Sequence, residues 1–209
     1  MGSLMETGIP MCHENFADRN IPGNFYWLNP PPTHDFDGGL WISTGPETDF
    51  WQRTHYGFCR DDGHCLLTRL AGDFQFSTRV DFEPVTQYDQ CGLIIRVDPE
   101  NWIKISTEYE TPEHSRLGSV VTNLGYSDWA TQTVSSAIGQ RCYRASRRGD
   151  DFLLEYGDDG QHWDQLRITH LHRATPELAV GIYACSPVGR DFHCCFRWLE
   201  IDDNRWQQE

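Results

Sequence analysis

The stretch that decides the fold reads Trp102-Ile103-Lys104-Ile105-Ser106-Thr107-Glu108-Tyr109-Glu110. In a β-strand, successive side chains point to opposite sides of the sheet. One side of this strand then carries Ile103, Ile105, Thr107 and Tyr109, and is apolar enough to face a core. The other side carries Trp102, Lys104, Ser106, Glu108 and Glu110. Charged groups in mid-strand beside an aromatic ring are unusual for a purely structural sheet, so this side is predicted to bind a polar ligand.

Strand-like runs of this kind recur along the chain, separated by turn-forming residues such as Ala71-Gly72-Asp73 and Asp158-Asp159-Gly160. No stretch shows an apolar period of 3.6 residues over three turns, which disfavours helices. The candidate strands are Leu40–Thr44, Cys65–Ala71, Phe74–Phe82, Gln90–Asp98, Trp102–Glu110, Arg116–Asn123, Ala130–Val134, Arg141–Arg148, Phe152–Gly157, Gln165–His170, Leu178–Ala184 and His193–Ile201. A dozen short strands at this spacing predict an all-β fold, a two-sheet antiparallel β-sandwich.

The 209 residues are expected to form a single domain, with residues 1–24 as an N-terminal extension. The Pro-rich run 29–39 is predicted to be an ordered loop. The segment Tyr126-Ser127-Asp128-Trp129 interrupts two strand-like runs and is predicted to be a turn. Trp129 then either packs beneath that turn or stacks over a ligand.

The composition excludes several classes of partner. The net charge of −14, from 31 acidic and 17 basic residues, opposes binding to a phosphate backbone, so nucleic acid is not expected. No apolar run reaches the ~20 residues of a membrane span, and the first residues lack the features of a secretory signal. We therefore expect a cytoplasmic protein whose eight cysteines are thiols.

The candidate site gathers residues from several of these strands. Gly92 in mid-strand, in the run Gln90–Arg96, is typical of a close approach by a ligand or another backbone. The predicted catalytic residues are Glu108 and Lys104, and the predicted ligand-binding residues are Tyr88, Gln90, Trp102, Trp129 and Arg144, with His34 or His64 at the rim. The alternatives are a solvated outer face with incidental charges and, for Arg144, a surface ion pair.

Metal, cofactor and hydrolase motifs are missing. The histidines and cysteines have no C-x2-C pairs and no H-E-x-x-H spacing, so neither a metal nor a cofactor is expected. No G-x-S-x-G or P-loop is present. Glu108 and Glu110 share one strand face about 7 Å apart, but Pro112 ends the strand before Glu113, which departs from the glucanase pattern E-x-D-x-x-E.

The order of short motifs resembles a domain-of-unknown-function family of the regulation-of-enolase type. The matching motifs are Asp49-Phe50-Trp51 with Thr54 and Tyr56-Gly57, Asp62-Gly63-His64, Tyr88 to Leu93, Trp102-Ile103-Lys104 with Glu108-Tyr109, Ser119 to Thr122, Tyr126 to Trp129, Asp158 to Trp163 with Leu166-Arg167, and Val180 to Tyr183 before Phe196. The resemblance implies a concanavalin A-like jelly roll with a concave sheet face able to hold a ligand, and no particular reaction. The chain departs from the family where Ser106 replaces a usual Gly and Ala130 a usual Ser.

Two classes of function follow, both at the concave face. The first is binding of a saccharide-like or other polar small organic molecule. The second is catalysis by a lyase, an isomerase or a cyclase, and less readily by a glycoside hydrolase. In such an enzyme Glu108 would act as general acid or base, and Lys104 or Arg144 would stabilise charge. A protein-interaction or regulatory module is a further alternative. The expected partner is a small molecule, and a homodimer is left open.

Overall fold

The computed structural model describes residues 12–206, which form β-strands and connecting loops without a helix. The strands, in chain order β1 to β17, are Cys12–Glu14, Tyr26–Leu28, Thr33–Phe36, Leu40–Ser43, Phe50–Gln52, Cys59–Asp61, His64–Ala71, Phe74–Glu83, Gln90–Asp98, Asn101–Tyr109, His114–Asn123, Tyr126–Ser135, Gln140–Arg148, Asp151–Gly157, Asp164–His170, Glu177–Cys185 and His193–Asp203. Within this described part, no helix is long and apolar enough to cross a membrane.

The strands pair into two large antiparallel sheets and one short hairpin. The eight-stranded sheet has the order β15-β14-β13-β8-β17-β4-β3, with β1 also paired to β17. The seven-stranded sheet has the order β12-β11-β10-β9-β16-β7-β2, and β5 pairs only with β6. The predicted all-β, two-sheet antiparallel sandwich is confirmed.

The side-chain alternation of β10 is the one that its sequence predicts. Ile103 and Ile105 are about 1% exposed and belong to the main core between the two sheets. Thr107, on the same side, accepts a 2.8 Å hydrogen bond from the hydroxyl of Tyr143 in the opposite sheet. The inward side of β10 therefore joins the sheets by apolar packing and by one polar contact.

A second, smaller core lies on the other side of the seven-stranded sheet. There the β5–β6 hairpin (residues 50–61) covers β10 and its neighbours, and Phe50 packs edge-on against Trp102 with ring centroids 6.0 Å apart. Trp102 is fully buried. The outer side of this sheet is therefore partly an interior.

The structure differs from the sequence expectation mainly in short strands. Residues 33–36, expected in a loop, form β3. Residues 126–129, expected to form a turn, are the beginning of β12, because the chain reverses direction two residues earlier, at Leu124 and Gly125. Of the expected N-terminal extension, residues 12–14 pair with β17 and Phe16 is buried in the main core; residues 1–11 lie outside the described part. Each missed strand is three or four residues long, too short for a readable alternation.

The cysteines serve as small side chains within this framework. All eight are free, and six of them are buried. Cys12 is half-buried and Cys59, in the hairpin, is exposed.

Gly92 of β9 offers a test of the sheet geometry. A methyl group added there would lie 2.0 Å from the backbone oxygen of Ile105, whereas one added at Gly23 would meet nothing within 4 Å. We expect Gly92→Ala to lower the free energy of unfolding by about 3 kcal/mol or to prevent folding, because the backbone of β9 or β10 must move to make room for the methyl group. Gly23→Ala is the matched control and should change it by less than ~1 kcal/mol. Urea unfolding of the two variants measures the difference, and equal midpoints would contradict the close approach.

Candidate functional site

A cavity of about 430 Å³ lies over the outer face of the seven-stranded sheet. The β5–β6 hairpin, the segment after β16 and the last strands of the sheet enclose it. Its walls and floor are formed by Glu47, Asp49, Trp51, Tyr56, Phe58, Arg60, Tyr88, Gln90, Lys104, Glu108, Val120, Trp129, Pro187 and Val188. Volume and composition are those of a small-molecule site, with aromatic walls and a few convergent polar groups.

Lys104, on the outer side of β10, fixes the hairpin to the floor of the cavity. Its side chain is about 4% exposed, and its ammonium lies 3.3 Å from Asp49 Oδ1 and donates a 3.0 Å hydrogen bond to the carbonyl of Phe50. The rings of Trp102 and Tyr183 stand 5.8 and 5.7 Å from Nζ. A buried ammonium needs such partners, since an unpaired charge in an interior is costly.

Glu108 lies on the same side of β10 as Lys104 and Ser106. Among the described residues, its carboxyl group has no lysine or arginine in contact, unlike the carboxylate of Asp49. Its Oε2 accepts a 2.6 Å hydrogen bond from Nε2 of Gln90. The Gln90 side chain is itself fixed, because the hydroxyl of Tyr183 donates to its Oε1 at 3.0 Å and its Nε2 also donates to the carbonyl of Tyr88 at 3.2 Å.

Burial raises the pKa of Glu108 from about 4.5 to about 8. The nearby carboxylates of Asp49 and Glu110 act in the same direction, while the Lys104 ammonium and the Gln90 hydrogen bond oppose the rise. At neutral pH most of the Glu108 carboxyl is therefore uncharged and able to donate a proton or a hydrogen bond.

Ser106 lies between Lys104 and Glu108 on β10, and its cross-strand neighbours are Gly92 on β9 and Gly118 on β11. A Cβ atom added at Gly92 would lie 2.0 Å from the Ile105 carbonyl oxygen, and one added at Gly118 would lie 2.3 Å from the Ala130 carbonyl oxygen. The two glycines therefore allow neighbouring strands to approach closely beneath the cavity.

Aromatic rings form the walls above this floor. In the hairpin, Trp51 and Tyr56 pack with ring centroids 5.5 Å apart, and Tyr56 stacks on Phe58 at the same distance. Trp129 adds another ring from β12 and is 38% exposed. Tyr88 joins them from a left-handed backbone conformation with φ of 73°.

Polar contacts with β9, with β12 and with the turn between β9 and β10 hold the hairpin in place. Arg96 of β9 binds both carboxylate oxygens of Asp61 at 2.7 Å. The backbone N–H of Gln52 donates to the hydroxyl of Ser127 on β12 at 2.9 Å, and the Arg53 guanidinium binds the Glu100 carboxylate at 2.7 Å. The hairpin is therefore fixed at its base, its side and its turn.

Five of the nine predicted site residues meet at this cavity: Tyr88, Gln90, Lys104, Glu108 and Trp129. Trp102, on the expected side of β10, is covered by the hairpin and does not line the cavity. It belongs to the second core instead.

The remaining three predicted residues lie elsewhere. Arg144 is on the eight-stranded sheet, where it binds Glu155 through two hydrogen bonds of 2.7 and 2.8 Å and lies 4.3 Å from the Trp163 ring, so its ion-pair alternative is the one that the structure shows. His34 packs on Trp27 with centroids 5.3 Å apart.

His64, the last of the three, is buried and has a structural role. Its Nε2 accepts from the Gly45 amide at 2.8 Å, and its Nδ1 donates to the Asn29 carbonyl at 2.7 Å. Neither ring nitrogen is left for a ligand.

The residues that the site prediction missed come mostly from the hairpin and from the ends of other segments. Asp49, Trp51 and Tyr56 fall within motifs of the family resemblance, which was the available signal for them. Glu47, Pro187 and Val188 lie in loops whose position depends on the whole fold. Between residues 12 and 206, no three His, Cys, Asp or Glu side chains converge as metal ligands would; the expectation of no metal stays a prediction.

The family model for "Protein of unknown function (DUF1349)" matches residues 27–204. The chain belongs to this family. A Saccharomyces cerevisiae protein named "Regulation of enolase protein 1" is 32% identical over 162 residues, which cover 77% of this chain and 80% of that protein. The predicted family resemblance is therefore confirmed.

Solved structures confirm the fold of this DUF1349 protein. A Saccharomyces cerevisiae protein described as functionally unknown superposes with a TM-score of 0.79 at 27% identity, over 88% of this chain and 98% of that one. A carbohydrate-binding module, CBM66 from Bacillus subtilis, superposes with a TM-score of 0.56 at 12% identity, over 86% of this chain and 96% of that one. The second likeness concerns the fold alone.

The pKa of Glu108 makes a prediction about stability. The folded protein keeps the proton that the unfolded chain releases above about pH 4.5, so Glu108 stabilises the fold below that pH and this contribution is lost as the pH rises through about 8. The free energy of unfolding of Glu108→Gln, relative to the native protein, should therefore increase from pH 5 to pH 8 and then level off. Urea unfolding at several pH values measures this difference. A ¹³C titration that places the Glu108 carboxyl near pH 4 would contradict it.

Proposed function

We propose that the protein binds a saccharide-like or other polar small organic molecule in the cavity over the seven-stranded sheet. The observation that carries this proposal is the meeting of Trp51, Tyr56 and Trp129 with the buried Lys104 ammonium and the half-buried Glu108 carboxyl around one cavity. Aromatic faces pack on the apolar C–H surface of such a ligand, and the polar groups bind its oxygens.

The fold supports this proposal only in a general way. A carbohydrate-binding module has the same sandwich architecture, but one fold serves many functions, and function depends on the residues of the site. The charge of the site adds a specific argument. Because Lys104 is paired with Asp49 and Glu108 is mostly neutral, the floor has little net charge, which suits an uncharged ligand with several hydroxyl or carbonyl groups.

Catalysis at the same site is the second candidate, and the pKa of Glu108 favours it. A carboxyl that titrates near neutral pH is suited to giving and taking protons, and the Lys104 ammonium acts on it as a positive charge. The enzyme classes that use these groups are a lyase, an isomerase or a cyclase.

Binding is tested first with the aromatic wall. Thermal unfolding with a panel of saccharides and polyols identifies the ligand, because a ligand at 100 times its dissociation constant adds about 2.7 kcal/mol. Trp129→Ala should then weaken binding about tenfold in calorimetry, since it removes a ring from the wall. Trp163→Ala, which removes a ring above Arg144 on the other sheet, is the matched control and should leave the affinity unchanged. No stabilisation by any member of the panel, with capture of a protein partner instead, would favour an interaction module.

Glu108→Gln distinguishes binding from catalysis. The amide keeps the size of the side chain and cannot transfer a proton. If the protein is an enzyme, turnover of the identified ligand should fall about 100-fold or more while the ligand still binds. If the native protein leaves the ligand chemically unchanged over hours by NMR, catalysis is wrong and binding stands.

A further inference from the structure

We infer that β12 pairs antiparallel with β12 of a second copy of this chain, so that the two seven-stranded sheets join into one continuous sheet. Thr131 lies on the twofold axis of this dimer. The inference concerns the edge of the sheet, and it does not depend on the proposed function of the cavity.

Most edge strands of the two large sheets are protected against pairing with another chain. β1, β2 and β3 have only three or four residues each, and the loop between β2 and β3 contains Pro30, Pro31 and Pro32. β15 has a bulge in its pairing with β14 and carries charged or titratable side chains at 164, 167 and 170. Short length, nearby proline, bulges and charges are the features by which natural edge strands avoid pairing with other chains.

β12 has none of these features. It is ten residues long, and its register with β11 is continuous from Tyr126 to Ser135. Its one charged residue, Asp128, binds Arg167 of β15 at 2.7 Å. The side chains of residues 129–133 are exposed on both faces of the strand, and none of them is charged. β12 is therefore a long, regular and uncharged edge.

The backbone of β12 offers hydrogen bonds to a further strand. In an antiparallel pair, alternate residues direct their N–H and C=O groups away from the neighbouring strand. Within the part of the chain that the structure describes, no backbone group of residues 129–133 is bonded outside the ladder with β11. A row of such groups is a template for another strand.

Charge and symmetry favour a copy of the same strand as the partner. The chain has a net charge of −14, yet residues 129–135 present no charge that a charged peptide could bind. An antiparallel strand is complementary to itself about a twofold axis, and such a contact is closed once two copies have met. Because the other edges are protected, the assembly stops at the dimer.

The exposed run determines the register. Opposed residues of an antiparallel pair lie on the same face of the sheet, so full pairing of residues 129–133 places Thr131 opposite the partner's Thr131. Trp129 then lies opposite the partner's Thr133, and an aromatic ring beside a β-branched side chain is a favourable cross-strand pair. Trp129 also opposes Val120 on β11, and both line the cavity. The partner's strand therefore extends the sheet beside the cavity wall.

Sedimentation equilibrium tests this dimer. The native protein should dimerise as its concentration rises, and more readily at higher salt, because two chains of net charge −14 repel each other. Thr131→Lys and Thr131→Glu each place two like charges opposite one another on the axis, so each should raise the dimer Kd at least about tenfold. Thr33→Lys makes the same change on the exposed edge strand β3 and should leave the Kd unchanged.

A mixture of Thr131→Lys with Thr131→Glu is the decisive sample. Opposite charges then meet on the axis, so the two variants should associate with each other although each alone is monomeric at the same concentration. A native protein that stays monomeric up to about 1 mM would overturn the inference. Variants that dimerise like the native protein, or a mixture that stays monomeric, would also overturn it. Binding of an extended peptide to β12 of a monomer would assign the edge to another partner, and saccharide binding by a monomer would leave the proposed function intact.

Discussion

The buried contact of Lys104 with Asp49 and Phe50 is the interaction on which the cavity depends. Its donor belongs to the middle of the seven-stranded sheet, and its acceptors lie at the beginning of the β5–β6 hairpin. The contact therefore fixes one wall of the cavity relative to its floor. Removing one partner would leave an uncompensated charge in an interior, which costs several kcal/mol, whereas an intact pair adds little net stability over apolar residues. Its main effect is to define the position of the hairpin.

The two charged residues of β10 that line the cavity have different partners. Lys104 has a carboxylate in contact and stays paired, whereas Glu108 has an amide as its partner and other carboxylates nearby, so its neutral form is favoured. Two ionisable groups on one strand, four residues apart, thereby acquire different roles: one is a fixed positive charge and the other a proton donor. A carboxyl group whose pKa is raised by its surroundings is typical of binding and catalytic centres.

The sequence predicts the sheets better than the site, and the reason is the range of the interactions involved. Alternation along residues 102–110 is a local property, so the inward side of β10 and the outward direction of Lys104 and Glu108 could be predicted. The burial of Trp102 could not be predicted, because its cover comes from Phe50, which lies 52 residues earlier in the chain. Arg144 shows a second limit: alternation indicates the side of a strand, but not which of the two sheets the strand joins. The ion-pair partner of Arg144 is Glu155 on the adjacent strand, and the spacing of the two residues in the sequence does not identify them as a pair.

The backbone conformations around the cavity give an independent reason to regard it as a preorganised binding site. Glu47 and Tyr88, which line it, have φ values of 55° and 73°, and Arg53 and His55 at the turn of the hairpin have 56° and 62°. Left-handed conformations cost non-glycine residues about 1 kcal/mol or more each. Gly57 supplies one left-handed conformation in the hairpin without this cost, as Gly72 and Gly149 do elsewhere, but Arg53 and His55 do not. The buried contact of Asp89 with Ser186, at 2.6 Å, holds the segment next to Tyr88 in place. A preorganised binding site requires such fixed segments around Lys104 and Glu108, because its groups must hold their positions before the ligand arrives.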